Sequence, residues 1–370
     1  MKTIAYVRAT NIYDDSRATK EILALAEAGY TVKVLAWDRN GKAKENCAKV
    51  FADCQERISC EFYTADAENG IGMRNLSKLL NWFRWVYKSL RGMKPLYAVH
   101  ACNLDAGLSA YRYCKKTKTP LVYDIYDYYI DSHTIPSFAV SAVERMEISI
   151  INFAQITIIC TDERKEQIEK ATPKSILVLH NSPDMDAEEE TELTIDYTYC
   201  GALGENRLLR EILDAYNQHS DFKFTFAGYG GYSKQAKELA EKYDNFEFLG
   251  TIPYDRVLKV EAGAMAIAAI YEPSIRNHRL CAPNKFYEAM ALGKPVIVCR
   301  GTGIDQFVEQ NKTGIVINYS ADEFYDALRY LKDNPSECYE MGRRARALYE
   351  QKYRWSLMRE DLIAAYQSVR

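Results

Sequence analysis

The sequence predicts an α/β protein made of two doubly wound parallel-sheet domains in tandem. Short β-branched runs alternate with amphipathic helical stretches, the alternation stops once over 184–196 and restarts, and 370 residues suit two cores. Apolar residues at 48% and charged residues at 27% are ordinary globular values, which excludes disorder, collagen and coiled coil.

In order, TIAYV (3–7) reads as the first strand. SRATKEILALAEAG (16–29) follows as a helix with Ile22, Leu23, Leu25 and Ala26 on one face and Gly29 as its stop. Strands continue at 31–37, 97–101, 120–126, 156–160 and 175–180, with helical stretches between them. PDMDAEEETELTID (183–196) is acidic and nearly free of large apolar residues, so it reads as a linker. Strands resume at 198–203, 222–228, 246–250, 264–271, 295–299 and 313–318, and 320–370 is helical. The expected boundaries are a first domain over 1–183, a linker over 184–196, a second domain over 197–352 and a terminal helix over 353–370. Ligands of such sheets bind at the carboxyl ends of strands, so the cleft between the domains is the expected site.

The charge excludes a general nucleic-acid binder: 48 basic and 51 acidic residues leave −3. Residues 1–183 hold 25 basic and 21 acidic side chains, and 184–370 hold 23 and 30. The first half is therefore expected to meet something anionic. Ten cysteines include no C-x-x-C pair, and Cys47, Cys54 and Cys60 fit no zinc spacing. They are expected as reduced thiols in a reducing, cytoplasmic compartment. The opening MKTIAYVRAT reads as a strand rather than a signal peptide, because Arg8 breaks its apolar run. No apolar stretch approaches the ~20 residues that span a bilayer.

The segment 73–94 carries six basic residues and no acid. Leu76, Leu79, Leu80, Phe83, Val86, Tyr87 and Leu90 recur at helical spacing, with Trp82 and Trp85 on the flank of that stripe. An amphipathic helix with a basic face favours anionic membrane surfaces; alternatively the stripe packs on the first sheet and the basic face is solvated.

APNKFYEAMALGKPVIVC (282–299) is the most informative segment. Pro283 and Asn284 open a helix, Gly293 ends it and a buried strand follows. Lys285 and Glu288 lie three apart on one face near the helix start. A helix N-terminus with a lysine is a phosphate site, and a glutamate one turn on can accept two hydrogen bonds from a ribose diol. The plainer alternative is an exposed ion pair. Asp184 and Asp186 form a D-x-D inside the acidic linker and read as linker, not as a metal site. Gly228, Gly230 and Gly231 follow a strand without the G-x-G-x-x-G pattern.

P-x-K-x-x-E-x-M-A-x-G-x-P-V-I resembles the donor segment of group 1, family 4-like glycosyltransferases of the GT-B fold, in which two Rossmann-like domains face each other across a cleft. DDSRATKEILALAEAGYTVKVLAW (14–37), PLVYDIYD (120–127), VLHNSPD (178–184), YCGALGENRLL (199–209) and GTGIDQFVEQNKTGIVI (301–317) extend the resemblance over most of the chain.

That resemblance implies a metal-independent hexosyltransferase-type enzyme with no cofactor. Its partners would be a nucleotide-sugar donor and a glycan or lipid-linked acceptor of bacterial surface polysaccharide synthesis. Membrane contact would run through 73–94, peripherally on the inner face of the cytoplasmic membrane. Glu288 would hold the ribose, and Arg207 and Lys285 the diphosphate, stabilising the charge that grows on the leaving group. Arg276, Asn277, His278, Arg279 and Asn284 would line the sugar pocket. Asp127 would take the acceptor proton, or else cap the following segment. Asp124, Tyr126, Asp15 and Arg17 would lie on the acceptor side, Asp15 alternatively as an N-cap. The terminal helix would cross back to the first domain.

The sequence departs from the family at two places. Leu280 stands where many members carry the first of two glutamates, and Tyr126 where relatives often carry histidine. Two other readings share the fold: a sugar-nucleotide epimerase and a non-catalytic partner protein.

Overall fold

A strand followed by a helix can return to a parallel neighbour only by a crossover over one sheet face, so strict alternation builds parallel sheets with helices on both sides. The computed structural model describes residues 2–66, 76–93, 95–185 and 191–369. The chain divides into unit 1, Met1–His180 with Met358–Arg370, and unit 2, Asn181–Leu357.

Unit 1 runs β1 (Thr3–Arg8), α1 (Ser16–Glu27), β2 (Thr31–Asp38), α2 (Ala43–Val50), β3 (Ile58–Thr64), α3 (Leu76–Gly92), β4 (Ala98–Cys102), α4 (Asn103–Thr117), β5 (Leu121–Ile125), α5 (Tyr129–Ser132), α6 (Ser137–Phe153), β6 (Ile156–Ile159) and β7 (Ile176–Val178). The sheet order is β3-β2-β1-β4-β5-β6-β7, all parallel. Its direction of winding reverses between β1 and β4, and the crevice at the carboxyl end of that switch point is where such sheets bind ligands.

Unit 2 runs β8 (Ile195–Ala202), α7 (Leu209–Ala215), β9 (Phe224–Tyr229), α8 (Ser233–Lys242), β10 (Phe246–Phe248), α9 (Tyr254–Ala262), β11 (Ala264–Ala269), α10 (Arg276–Arg279), α11 (Asn284–Ala291), β12 (Val296–Cys299), α12 (Ile304–Asn311), β13 (Gly314–Ile317), α13 (Ala321–Asp333), α14 (Pro335–Leu348) and the start of α15 (Trp355–Ser368). Its order, β10-β9-β8-β11-β12-β13, repeats the logic, with the switch point between β8 and β11. Successive residues of a strand face opposite sides. Ala266 and Ala268 thus join Tyr197, Phe224 and Phe324 in one core, while Ile267 and Ala269 join Phe286, Met290 and Val298 in the other.

Strand β3 escaped the sequence reading. Its alternation of Ile58, Cys60 and Phe62 with Ser59 and Glu61 is that of an edge strand, and it carries no long apolar run. The last residues, Met358–Arg370, belong to unit 1. There the Tyr97 hydroxyl lies 2.8 Å from the carbonyls of both Tyr366 and Val369, and Leu362 is fully buried.

The apolar stripe of α3 is rotated from the expected one. Trp82, Val86 and Leu90 are fully buried, whereas Leu80 is 46% exposed. The cause is aromatic packing: Trp82 stacks on Trp37 and Trp85 at centroid distances of 5.6 and 5.5 Å, and its indole N–H donates to the Asp105 carbonyl at 2.8 Å. Arg84, Lys88 and Arg91 are exposed. Residues 73–75 and 94 and the side chain of Leu76 lie outside the described residues. Among the described residues no helix is long and apolar enough to cross a membrane, and all ten cysteines are free thiols.

This packing predicts that Trp82→Ala destabilises the chain by about 3–5 kcal/mol, while Leu80→Ala stays within about 0.5 kcal/mol of wild type. Urea unfolding followed by circular dichroism measures both.

Candidate functional site

In unit 2 the site is built where β8 and β11 end. A Cβ at position 228 would sit 1.8 Å from the Gly201 carbonyl oxygen, so only glycine lets the ends of β8 and β9 approach this closely. The chain then turns through Asn206 and Leu208, both left-handed at φ 64° and 59°. Such positions cost about 1–3 kcal/mol each for residues with a side chain. They are held in place because the Leu208 N–H donates to the Tyr319 hydroxyl at 2.8 Å and the Asn206 carbonyl accepts from the Glu272 N–H at 3.0 Å. Arg207 lies between them, its guanidinium 5.4 Å from the centre of the Tyr271 ring.

Helix α11 is seated by its own apolar face. Phe286, Tyr287, Ala289 and Met290 bury against Ile267 and Val298. Leu292 and Gly293, at φ 63°, end the helix. This seating drives Lys285, in the first turn, under the end of β8. Its amine donates to the Cys200 carbonyl, lies 5.0 Å from the centre of the Tyr199 ring and is 3.6 Å from Glu261 Oε1. Glu288 is 3% exposed and accepts from the Tyr254 hydroxyl at 2.9 Å.

The plainer alternative, an exposed pair of Lys285 with Glu288, does not hold. Both side chains are largely buried, and the ion pair recorded for Lys285 runs to Glu261. Burial pulls the Lys285 amine down, and the charges of Glu261 and Glu288 more than reverse that, so it remains a cation. Burial, then the charge of Glu288, push the Glu261 carboxyl up to about 8.

The 272–283 loop folds on itself. His278 Nδ1 is 3.0 Å from the Glu272 carbonyl, its ring meets Tyr271 edge-on, and Arg279 Nε donates to the Pro273 carbonyl at 3.0 Å. A Cβ at Gly303, φ 78°, would lie 2.6 Å from the Arg279 carbonyl oxygen, so the glycine loop after β12 closes directly on α10. Arg276 is exposed and Asn277 half-buried on α10, and Leu280 caps its end. The Asn284 side chain bonds that of Asn181. The linker aspartate Asp184 is exposed, and Asp186 lies outside the described residues.

In unit 1, Asp15 is the N-cap of α1: it accepts from the Ala18 N–H at 3.1 Å and from Arg8 Nε at 2.8 Å. Arg17 and Asp124 were expected on an open acceptor face, and both are interior. Arg17, 3% exposed in the first turn of α1, donates to Glu21 at 3.0 Å, to Asp124 at 2.7 Å and to the Leu179 carbonyl at 3.0 Å. Asp124 is fully buried in β5.

His100 Nε2 sits 3.5 Å from both Glu21 and Asp124, and its Nδ1 lies 2.7 Å from the Tyr366 hydroxyl. A buried cation holds two buried carboxylates here because neither charge survives there alone. Burial, with Asp124 nearby, lifts Glu21 to about 7, and burial lowers His100 to about 4. His100, Cys102 and Asp124 bring one ligand-type atom each within 4.8 Å of one another, but Arg17 already neutralises Asp124, so we assign no metal there.

Tyr126 lies below two guanidiniums, Arg8 at 4.1 Å and Arg17 at 4.6 Å from its ring centre, and its hydroxyl is 3.0 Å from that of Tyr6. Asp127, just past β5, has a side chain 46% exposed and 3.4 Å from Arg164 Nη2. The Asn103 side chain accepts from the N–H groups of Tyr126 and Asp127 and fixes this turn.

Sequence reasoning missed Tyr254, Glu261, Glu21, His100 and Arg164. For the first two a signal existed: seven residues apart, they share one face of α9.

Residues 184–348 match the model of the glycosyl transferases group 1 family. The D-rhamnosyltransferase WbpZ of Pseudomonas aeruginosa is 28% identical over 161 residues, 42% of this chain and 41% of that protein. A GDP-mannose-dependent monoacylated alpha-(1-6)-phosphatidylinositol monomannoside mannosyltransferase of Corynebacterium glutamicum is 28% identical over 170 residues, 45% and 44% of the two chains. The matched segment thus spans less than half the length of these curated relatives. Sucrose-phosphate synthase of Thermosynechococcus elongatus superposes with a TM-score of 0.72 at 13% identity over 99% of this chain and 98% of that one. The likeness shows the fold, which is GT-B.

The raised Glu261 carboxyl makes stability depend on pH. Its folded value, about 8, exceeds the usual carboxylate range, so the folded state holds the proton more tightly. That contribution is full in acid and is lost as pH rises toward 8. Glu261→Gln escapes the loss. Relative to wild type it gains stability from pH 5 to pH 8, by up to about 1.4 kcal/mol per pH unit, in denaturant titrations at pH 5, 7 and 8.

Proposed function

We propose that this chain, which through residues 184–348 belongs to the group 1 glycosyl transferases, moves a sugar from a nucleotide-sugar donor to an acceptor hydroxyl. The observation that carries the reading is the convergence of Arg207, Lys285 and Glu288 on the carboxyl end of β8. Both cations act on the same phenols, Tyr199 and Tyr271. Glu288 lies one turn beyond Lys285 on α11.

Arg207 and Lys285 hold the diphosphate, and Glu288 exchanges Tyr254 for the ribose diol. In the reaction the acceptor oxygen bonds to the anomeric carbon and the bond from that carbon to the diphosphate oxygen breaks. Negative charge grows on the leaving group, where fixed cations in a dry site stabilise it most. These two side chains supply the charge that a divalent cation provides in other sugar transferases, which supports a metal-independent reaction. Arg276, His278 and Asn284 are assigned to the donor sugar. The half-exposed carboxylate of Asp127 in unit 1 takes the proton of the acceptor hydroxyl.

The names of the two relatives, one a glycolipid mannosyltransferase, support a bacterial surface glycan or lipid-linked acceptor. The exposed Arg84, Lys88 and Arg91 of α3 support contact with an anionic surface.

A thermal-shift panel of UDP-, GDP-, ADP-, CMP- and dTDP-sugars tests the donor. One nucleotide class is expected to stabilise the wild type, by about 2.7 kcal/mol at a hundred times its Kd. Arg207→Ala, Lys285→Ala and Glu288→Ala are expected to lose most of that shift. A panel that moves neither wild type nor variants contradicts the reading.

A further inference from the structure

We propose that Glu261 is the positioning residue for the donor's diphosphate: it sets the Lys285 amine, and the donor binds the form in which Glu261 carries a proton. The inference deepens the donor-site reading above and rests on it.

Glu261 is fully buried, and neither carboxyl oxygen has a hydrogen-bond partner among the described residues. Its close charged neighbour is the Lys285 amine at 3.6 Å. The groups that face it are Lys285 and Glu288 from α11, Tyr197 and Cys200 from β8, and Tyr254 from its own helix. Helix α9 therefore grips both charged residues of α11, Glu288 through Tyr254 and Lys285 through Glu261. A carboxyl in this position has no role in packing that an amide or an apolar group would not fill better. Its chemistry is directed at the amine.

The amine has three N–H donors. One goes to the Cys200 carbonyl, and Glu261 competes with a phosphate for the rest. Ionised, Glu261 draws the amine inward and repels a diphosphate a few ångströms away. Protonated, it leaves the amine's charge to the ligand. Burial and Glu288 place that change near pH 8, while Lys285 stays charged.

Two measurements on the whole chain test this. Calorimetric titration of GDP and of UDP is run at pH 7 and pH 9, where the terminal phosphate, with a pKa of about 6, is already ionised. Affinity of the wild type is expected to fall about tenfold, as one proton titrating near 8 requires; that of Glu261→Gln is expected to change less than about twofold. An unchanged pH slope in Glu261→Gln overturns the proposal. In parallel, amine labelling of Lys285 is read by mass spectrometry against pH. Glu261→Gln is expected to label at lower pH than wild type, because the amine has lost its carboxylate. Labelling that does not move overturns the pairing whatever the nucleotides do. If labelling moves and neither nucleotide binds wild type, the donor-site reading falls and the proposal with it, and the ion pair remains as a structural contact.

Discussion

One buried lysine amine between two buried carboxyls shapes the carboxyl end of unit 2. Lys285, Glu261 and Glu288 share a space almost closed to water, where an unpaired charge costs several kcal/mol. The surrounding elements are arranged to meet that cost. α9 presents Tyr254 and Glu261 on one face, β8 presents the Cys200 carbonyl, and α11 is pinned by its apolar side. Around it, Gly228 and Gly303 allow close backbone contacts with Gly201 and Arg279, and Tyr319 and Glu272 hold the strained turn that carries Arg207. A site assembled this way is stiff before any ligand enters, which is what stabilising a growing charge demands.

Unit 1 solves a similar problem differently. Its buried Arg17 bridges Asp124 and Glu21, and His100 links them to Tyr366 near the end of the chain. The network ties Met358–Arg370 to the sheet of unit 1 through side chains, so the terminal segment is a structural member of that unit. Just past β5, the half-exposed Asp127 side chain lies against Arg164.

Much of the fold was legible, because parallel strands buried on both faces announce themselves as apolar runs such as AMAIAAIY and PVIVC. β3 was not, since an edge strand mixes polar residues into its run. Nor was the rotation of α3: hydrophobic spacing put Leu80 in the stripe and Trp82 on its flank, and the indole stacking that buries Trp82 needs Trp37 from another element. At the site, spacing placed Lys285 and Glu288 on one helix start. Their partners came from α9, and no local pattern names which residue meets which across the 34 residues between Tyr254 and Glu288. Arg17 and Asp124 read as exposed polar residues near strand ends. Their burial depends on meeting each other 107 residues apart, and composition carries no trace of that.

The central claim is that the end of β8 is a nucleoside diphosphate site. A structure of the chain with a bound nucleoside diphosphate tests it most directly. The account predicts phosphate oxygens within hydrogen-bond reach of Arg207 and Lys285, and the ribose hydroxyls on Glu288 in place of the Tyr254 hydroxyl. A nucleotide bound elsewhere, with Glu288 still held by Tyr254 and Arg207 turned to solvent, would contradict it.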